Sequence, residues 1–179
     1  MPSSRRTLTA NAVANAAGVD SNWVYRAVEN GILPATHFEA DIIVIKLHRL
    51  LSGITWPDRK RQRSQKHAVD TWQLSALNAA RDAVTDPSTT AETTLWVTQH
   101  QVLVANTRAE RAALEATDAE GANPAPLDGQ LAFRFPIGRW IDDLPSVLAQ
   151  TPTREPRRPK TAPGRSSGRT PTTTRASAS

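Results

Sequence analysis

The tightest constraint on this chain is a glycine. Gly18 separates two short stretches whose apolar residues recur at helical spacing: Ala10, Val13, Ala14 and Ala17 before it, and Val24, Ala27 and Val28 after it. The pattern predicts a helix, a tight turn and a second helix, because the first helix must stop at a residue that tolerates positive φ. Ala14 falls where the first helix must be small, and Val24 where the second must pack back on it. Thr9 is placed to cap the first helix, and Asp20 or Ser21 the second. Gly31 closes the second helix. Ile32-Leu33-Pro34 then leaves extended, since the residue before a proline is pushed out of the α region.

The outward positions of the second helix are Ser21, Asn22, Tyr25 and Arg26, with Trp23 at its shoulder. These are residues that can read a duplex. Asn pairs with adenine edges and Arg with guanine edges or phosphates, while Ser and Tyr hold phosphates. The competing reading makes Trp23 and Tyr25 packing residues and Arg26 an ion-pair partner of Glu29 or Glu39.

Leu8-Thr9, Val13-Ala14, Gly18-Val19, Val24-Tyr25-Arg26 and Gly31-Ile32-Leu33-Pro34-Ala35 together resemble the DNA-binding domain of the MerR superfamily, in particular its small excisionase-like branch. The resemblance covers roughly the first 50 to 55 residues and extends to Phe38, Glu39, Asp41, Ile42 and Leu47, which look like the opening of the family's next helix. It implies a winged helix-turn-helix, with the second helix in the major groove and the wing on the backbone. The wing interval is short, holding Ala35, Thr36 and His37 where many relatives carry arginines. Arg26-Ala27 stands where MerR proteins proper show a tyrosine pair, which favours the excisionase-like branch. The chain has no cysteine, so the thiolate sites of the metal-sensing relatives are excluded, as are disulfides and cysteine nucleophiles.

Charge is segregated along the chain. Residues 1–67 carry ten Lys/Arg against five Asp/Glu, residues 68–150 five against eleven, and residues 151–179 seven against one. Basic ends and an acidic middle match a chain whose ends meet a polyanion while the middle does something else. Residues 59–66 hold five of these cations, Arg59, Lys60, Arg61, Arg63 and Lys66, after Gly53 and Pro57 break the helical pattern. That stretch reads equally as a plain linker or as a linker that contacts phosphates.

The β-branched run from residue 40 to 51 is strand-like by propensity. Its length, its acidic start and its basic end (Lys46, His48, Arg49) favour a third helix. Residues 65–84 return to helical spacing, with Ala68, Val69, Trp72, Leu74, Leu77, Ala80 and Val84 as the apolar side. Residues 94–98 and 102–105 predict a β-hairpin whose turn lacks the favoured Asn-Gly or Asp-Gly. A helix over residues 109–117, a loop over 120–130, a third strand over 131–135 and a closing helix over 136–150, interrupted or started near Pro145, complete the folded part. Residues 151–179 are Pro, Thr, Ser, Gly and Arg with alanine, and are expected to be a disordered basic tail.

The expected fold class is therefore mainly α with a small α+β C-terminal unit. A winged helix-turn-helix head (residues 1–55) precedes a basic linker (56–66), an α+β domain for dimerisation, sensing or interaction (67–150) and the tail (151–179). His37, His48, His67 and His100 fall on different elements, and neither a phosphate loop nor a nucleophile elbow is present. Asp142-Asp143, the one obvious carboxylate pair, sits where helix starts favour acids. No enzyme, metal or cofactor is expected.

The chain reads as a cytoplasmic, nucleoid-associated transcriptional regulator that binds double-stranded DNA as a homodimer, with a protein partner or small-molecule effector at its C-terminal domain and no membrane span. Two alternatives stay open. One is an excisionase-like or plasmid-maintenance factor that bends or coats DNA; the other is a protein-interaction adaptor with a DNA-localising head.

Overall fold

The computed structural model describes residues 6–56, 70–116, 126–127 and 129–151. The expectations for the basic stretch 57–69 and for residues 152–179 lie outside them. Among the described residues the chain is mainly helical, with seven helices and one three-stranded antiparallel sheet.

The first helix, α1 (Ala10–Ala17), begins where Thr9 Oγ1 accepts the Ala12 amide at 3.1 Å. It ends at Gly18, whose φ of +67° lets Val19 donate back to the Ala14 carbonyl at 2.9 Å. Asp20 caps α2 (Ser21–Glu29) by accepting the Asn22 amide at 2.8 Å. Gly31, at φ +71°, turns the chain so that the Ile32 and Leu33 amides both donate to the Ala27 carbonyl, at 2.8 and 3.1 Å. The connection to the next helix holds turns and one isolated antiparallel bridge, in which the Leu8 amide donates to the His37 carbonyl at 2.9 Å; it contains no hairpin.

The β-branched run is the helix α3 (Glu39–Ser52), opened by Asp41, whose Oδ2 accepts the Phe38 amide at 2.8 Å. Ile42, Ile43, Val44, Ile45, Leu47 and Leu51 are all at most 2% exposed, so this helix is covered on nearly every side. A helix apolar all round belongs in a core. Residues of α1 and α2 pack on it from one direction, and α4 (Thr71–Thr85) from another. Gln73 joins the two ends, accepting the Asp70 amide through Oε1 and donating through Nε2 to the Leu51 carbonyl at 3.4 Å.

The buried face of α4 differs from the sequence expectation. Trp72, Ala76, Leu77, Ala80 and Ala83 are buried, whereas Leu74 is 40% exposed and Val84 only half-buried. Leu74 stands two residues from both Trp72 and Ala76, which turns it roughly 200° from either around the helix. The apolar face is filled by small alanines, which let α4 lie close against α3.

The sheet has the order β2-β1-β3, built from β1 (Thr94–Val97), β2 (Val102–Ala105) and β3 (Phe133–Phe135). Central β1 is buried along its length, pairing Thr94 with Ala105 on one side and Leu95 with Phe135 on the other. The hairpin turn needs no Asn-Gly because Thr98 Oγ1 accepts the His100 and Gln101 amides, at 3.2 and 3.0 Å. The helix α5 (Arg108–Glu115) has no buried residue and follows β2. The closing segment is two helices, α6 (Ile137–Asp142) and α7 (Leu144–Gln150), with Pro145 in the first turn of the second.

One contiguous buried cluster runs from Val13 and Val24 through α3 and α4 to Leu95, Val97, Phe135 and Ile137. Trp56 joins α4 to the sheet, edge-on to Trp72 at 5.5 Å and to Phe133 at 5.3 Å. At the α6–β1 contact the Gly138 amide donates to the Thr93 carbonyl at 2.9 Å, and a Cβ at Gly138 would run into the Thr90 carbonyl oxygen and the Thr93 amide nitrogen.

Gly138→Ala is therefore expected to lower stability by about 1–3 kcal/mol or more. Gly53→Ala, whose Cβ would meet only the Leu50 carbonyl at 3.5 Å, should leave it unchanged or raise it by up to about 1 kcal/mol. Urea denaturation of the two variants checks the pair.

Candidate nucleic-acid interface

The inner side of α2 is fixed by Val24 and Ala27, each fully buried against α1 and α3. Helical geometry then points Asn22, Tyr25 and Arg26 outward. Asn22 and Arg26 are exposed, and Tyr25 is 52% exposed. Ser21, half-buried, opens the same face. Arg26 makes no ion pair with Glu29 or Glu39 among the described residues, which removes the alternative assigned to it from sequence. An exposed Asn, Tyr and Arg on the first two turns of a helix form a surface that can donate to and accept from a polar partner.

Trp23 belongs to a different environment. It is half-buried against the core, and its ring stands edge-on to His48 of α3 at 5.7 Å and 74°. That contact packs α2 against α3. His48 itself has a buried Nδ1 with no hydrogen-bond partner. Burial holds its imidazole below the ordinary value of 6.5, because the charged form has lost water and gained nothing in return.

The turn between α1 and α2 is held from outside. Arg49 Nη1 of α3 donates to the Gly18 carbonyl at 2.7 Å. The exit from α2 is held in a similar way by α4, where Arg81 Nη2 donates to the Ile32 carbonyl at 3.0 Å and lies 3.5 Å from Asp41 Oδ1. Neither contact is visible in a local pattern; Arg81 and Ile32 are 49 residues apart. Lys46, on α3, lies 4.7 Å from the centre of the Trp140 ring, and burial lowers its ammonium pKa against an opposing pull from Asp143.

Lys46, half-buried, and Arg49, exposed, are thus both engaged within the chain, and Arg26 is the cation of α2. Arg59, Lys60, Arg61 and Arg63, the other cations assigned to a phosphate contact, lie outside the described residues. A groove of about 810 Å³ opens beside the α2 exit, between residues 31–34, the first turn of α3 and the end of α4. Nothing in the sequence pattern marked it.

Among the described residues no group of three or more His, Asp or Glu is placed to hold a metal ion, and no helix is long and apolar enough to cross a membrane. No family model matches the chain, and neither the curated proteins nor the solved structures give a significant match to it.

The His48 contact predicts a pH dependence. The unfolded chain takes up a proton near pH 6.5 and the folded chain only lower, so stability is full above that value and falls as pH drops toward the folded pKa. Thermal melts between pH 7.5 and 5 should show this fall, and His48→Gln should flatten it.

Proposed function

We propose that the protein is a sequence-specific DNA-binding protein, a transcriptional regulator that inserts α2 into the major groove. The observation that carries the reading is the α1–turn–α2 unit itself. Its second helix is fixed on one side by Val24 and Ala27 and presents Asn22, Tyr25 and Arg26 on the other, with Ser21 at its N-terminal turn. The N-terminal turns of such a helix are the part that reaches base edges. Asn22 and Arg26 are assigned to bases, and Ser21 and Tyr25 to phosphates. Trp23 acts through packing.

The resemblance to the excisionase-like branch of the MerR superfamily supports the same reading. On that reading the short connection over residues 30–38 takes the place of a wing, and its phosphate contacts pass to Arg59, Lys60, Arg61 and Arg63. We propose a cytoplasmic homodimer on a paired site. The dimer contact would lie away from the apolar face of α4, which is buried within the chain.

Selection from random duplex oligonucleotides with the full-length protein tests the core of the proposal, and recovery of no preferred sequence would sink it. Where a site is recovered, Asn22→Ala and Arg26→Ala should each relax the preference at one base pair, costing about 1–3 kcal/mol there. Replacing Arg59, Lys60, Arg61 and Arg63 together by Gln should weaken all sequences alike. It should also flatten the slope of log K against log salt by up to about 3.6, if all four meet phosphates.

A further inference from the structure

The groove beside the α2 exit has a chemistry that the DNA-binding reading leaves unused. Its floor is apolar, with Ile32 and Leu33 buried to 5% and 3% exposure, and Val84 of α4 half-buried at its side. Its volume of about 810 Å³ falls within the range of roughly 300–1,000 Å³ typical of small-molecule sites.

Arg81 is the polar anchor. Its Nη2 alone serves both the Ile32 carbonyl and Asp41, so Nη1 and Nε have no partner among the described residues. The contact to Asp41, at 3.5 Å, is well beyond the usual 2.7–2.9 Å of a charge-assisted hydrogen bond. Asp41 meanwhile accepts the Phe38 amide at 2.8 Å and is held to the start of α3. The guanidinium is therefore incompletely neutralised, with its side chain 36% exposed. Arg6, Glu39 and Asp82, all exposed, line the same groove.

We infer that this groove binds a small monocarboxylate with an apolar body. One carboxylate satisfies the open donors of Arg81, a planar fork shaped for that group. The apolar body covers Ile32, Leu33 and Val84. The lining holds three carboxylates, Glu39, Asp41 and Asp82, against two cations, Arg6 and Arg81, so a second negative charge is disfavoured and dianions and phosphates with it. A cation would meet Arg81 and Arg6. The occupant would sit on the bond that ties α4 to the exit of α2. The site stands whether or not α2 reads DNA.

The test is methyl NMR of the full-length protein titrated with four probes at matched ionic strength: benzoate, phthalate, benzylamine and benzyl alcohol. Benzoate is expected to shift the Ile32, Leu33 and Val84 methyl signals saturably, and more tightly than the other three. Asp82→Asn, which removes an exposed charge at the rim, should tighten benzoate by about two- to five-fold at low salt. Arg81→Lys, which keeps the charge and loses the fork, should weaken it; if that variant unfolds, Asp82→Asn decides alone. No saturable shift at these methyls, benzylamine or phthalate binding as tightly as benzoate, or benzoate binding unaltered by Asp82→Asn would each overturn the inference.

Discussion

The structure depends on the burial of one helix. α3 is the shared core of two layers: α1 and α2 lie on one side of it, and α4 with the sheet and α6 beyond lies on the other. Six of its large aliphatic residues are at most 2% exposed, and each contributes roughly 1.5–3 kcal/mol of burial. A helix covered this completely cannot be stable in a head cut off at residue 52. The faces that α4 covers would be open to water. The α1–turn–α2 unit is therefore the outer layer of a larger core, and residues far along the chain hold it in place.

Long side chains reaching over backbone carbonyls fix that outer layer. Arg49 holds the turn at Gly18, and Arg81 holds the exit at Ile32. Each cation satisfies an acceptor at or just beyond a helix end, where carbonyls lack partners of their own. Together the two contacts pin the entry and the exit of α2, while Trp23 packs it on His48. The same arrangement commits two cations to contacts within the chain: exposed Arg49 to the α1–α2 turn and half-buried Lys46 to Trp140.

How legible this was in the sequence follows the range of each interaction. Thr9, Gly18, Asp20 and Gly31 act within three or four residues, and each sits where capping and turn rules place it. The helical state of residues 39–52 was legible from length and end charges, against a β-branched composition. The face of α4 was misread at Leu74, because alanines carry a weak hydrophobic signal while filling the interface that needs them. The hairpin turn was placed correctly, although its stabilising group, the Thr98 hydroxyl, is not a favoured turn residue. On the candidate surface, Asn22, Tyr25 and Arg26 were legible as outward positions. Trp23 and Tyr25 read alike in the sequence, as duplex contacts with packing as the competing role; Tyr25 is exposed and Trp23 half-buried beside His48, a difference set by the neighbouring helix and not by spacing. Arg81 and the groove it lines had no local signature at all.

These facts bear on how a head of this kind would hold a duplex. Affinity for DNA comes largely from phosphates, and base contacts supply discrimination. On the proposed reading, α2 is equipped for discrimination through Asn22 and Arg26 and poorly equipped for affinity, since Arg26 is its one cation. Neutralising a few phosphates through one helix leaves binding in the weak, strongly salt-dependent regime. The sequence places five cations within residues 59–66 and seven more within 151–179. Linking a weak reader to such segments, or to a second copy of itself, converts each further contact into an intramolecular event at an effective concentration around millimolar. On the proposed reading, with Lys46 engaged by Trp140, Arg49 by the Gly18 carbonyl and Arg26 the one cation of α2, further phosphate contacts come from elsewhere in the chain or from a second copy.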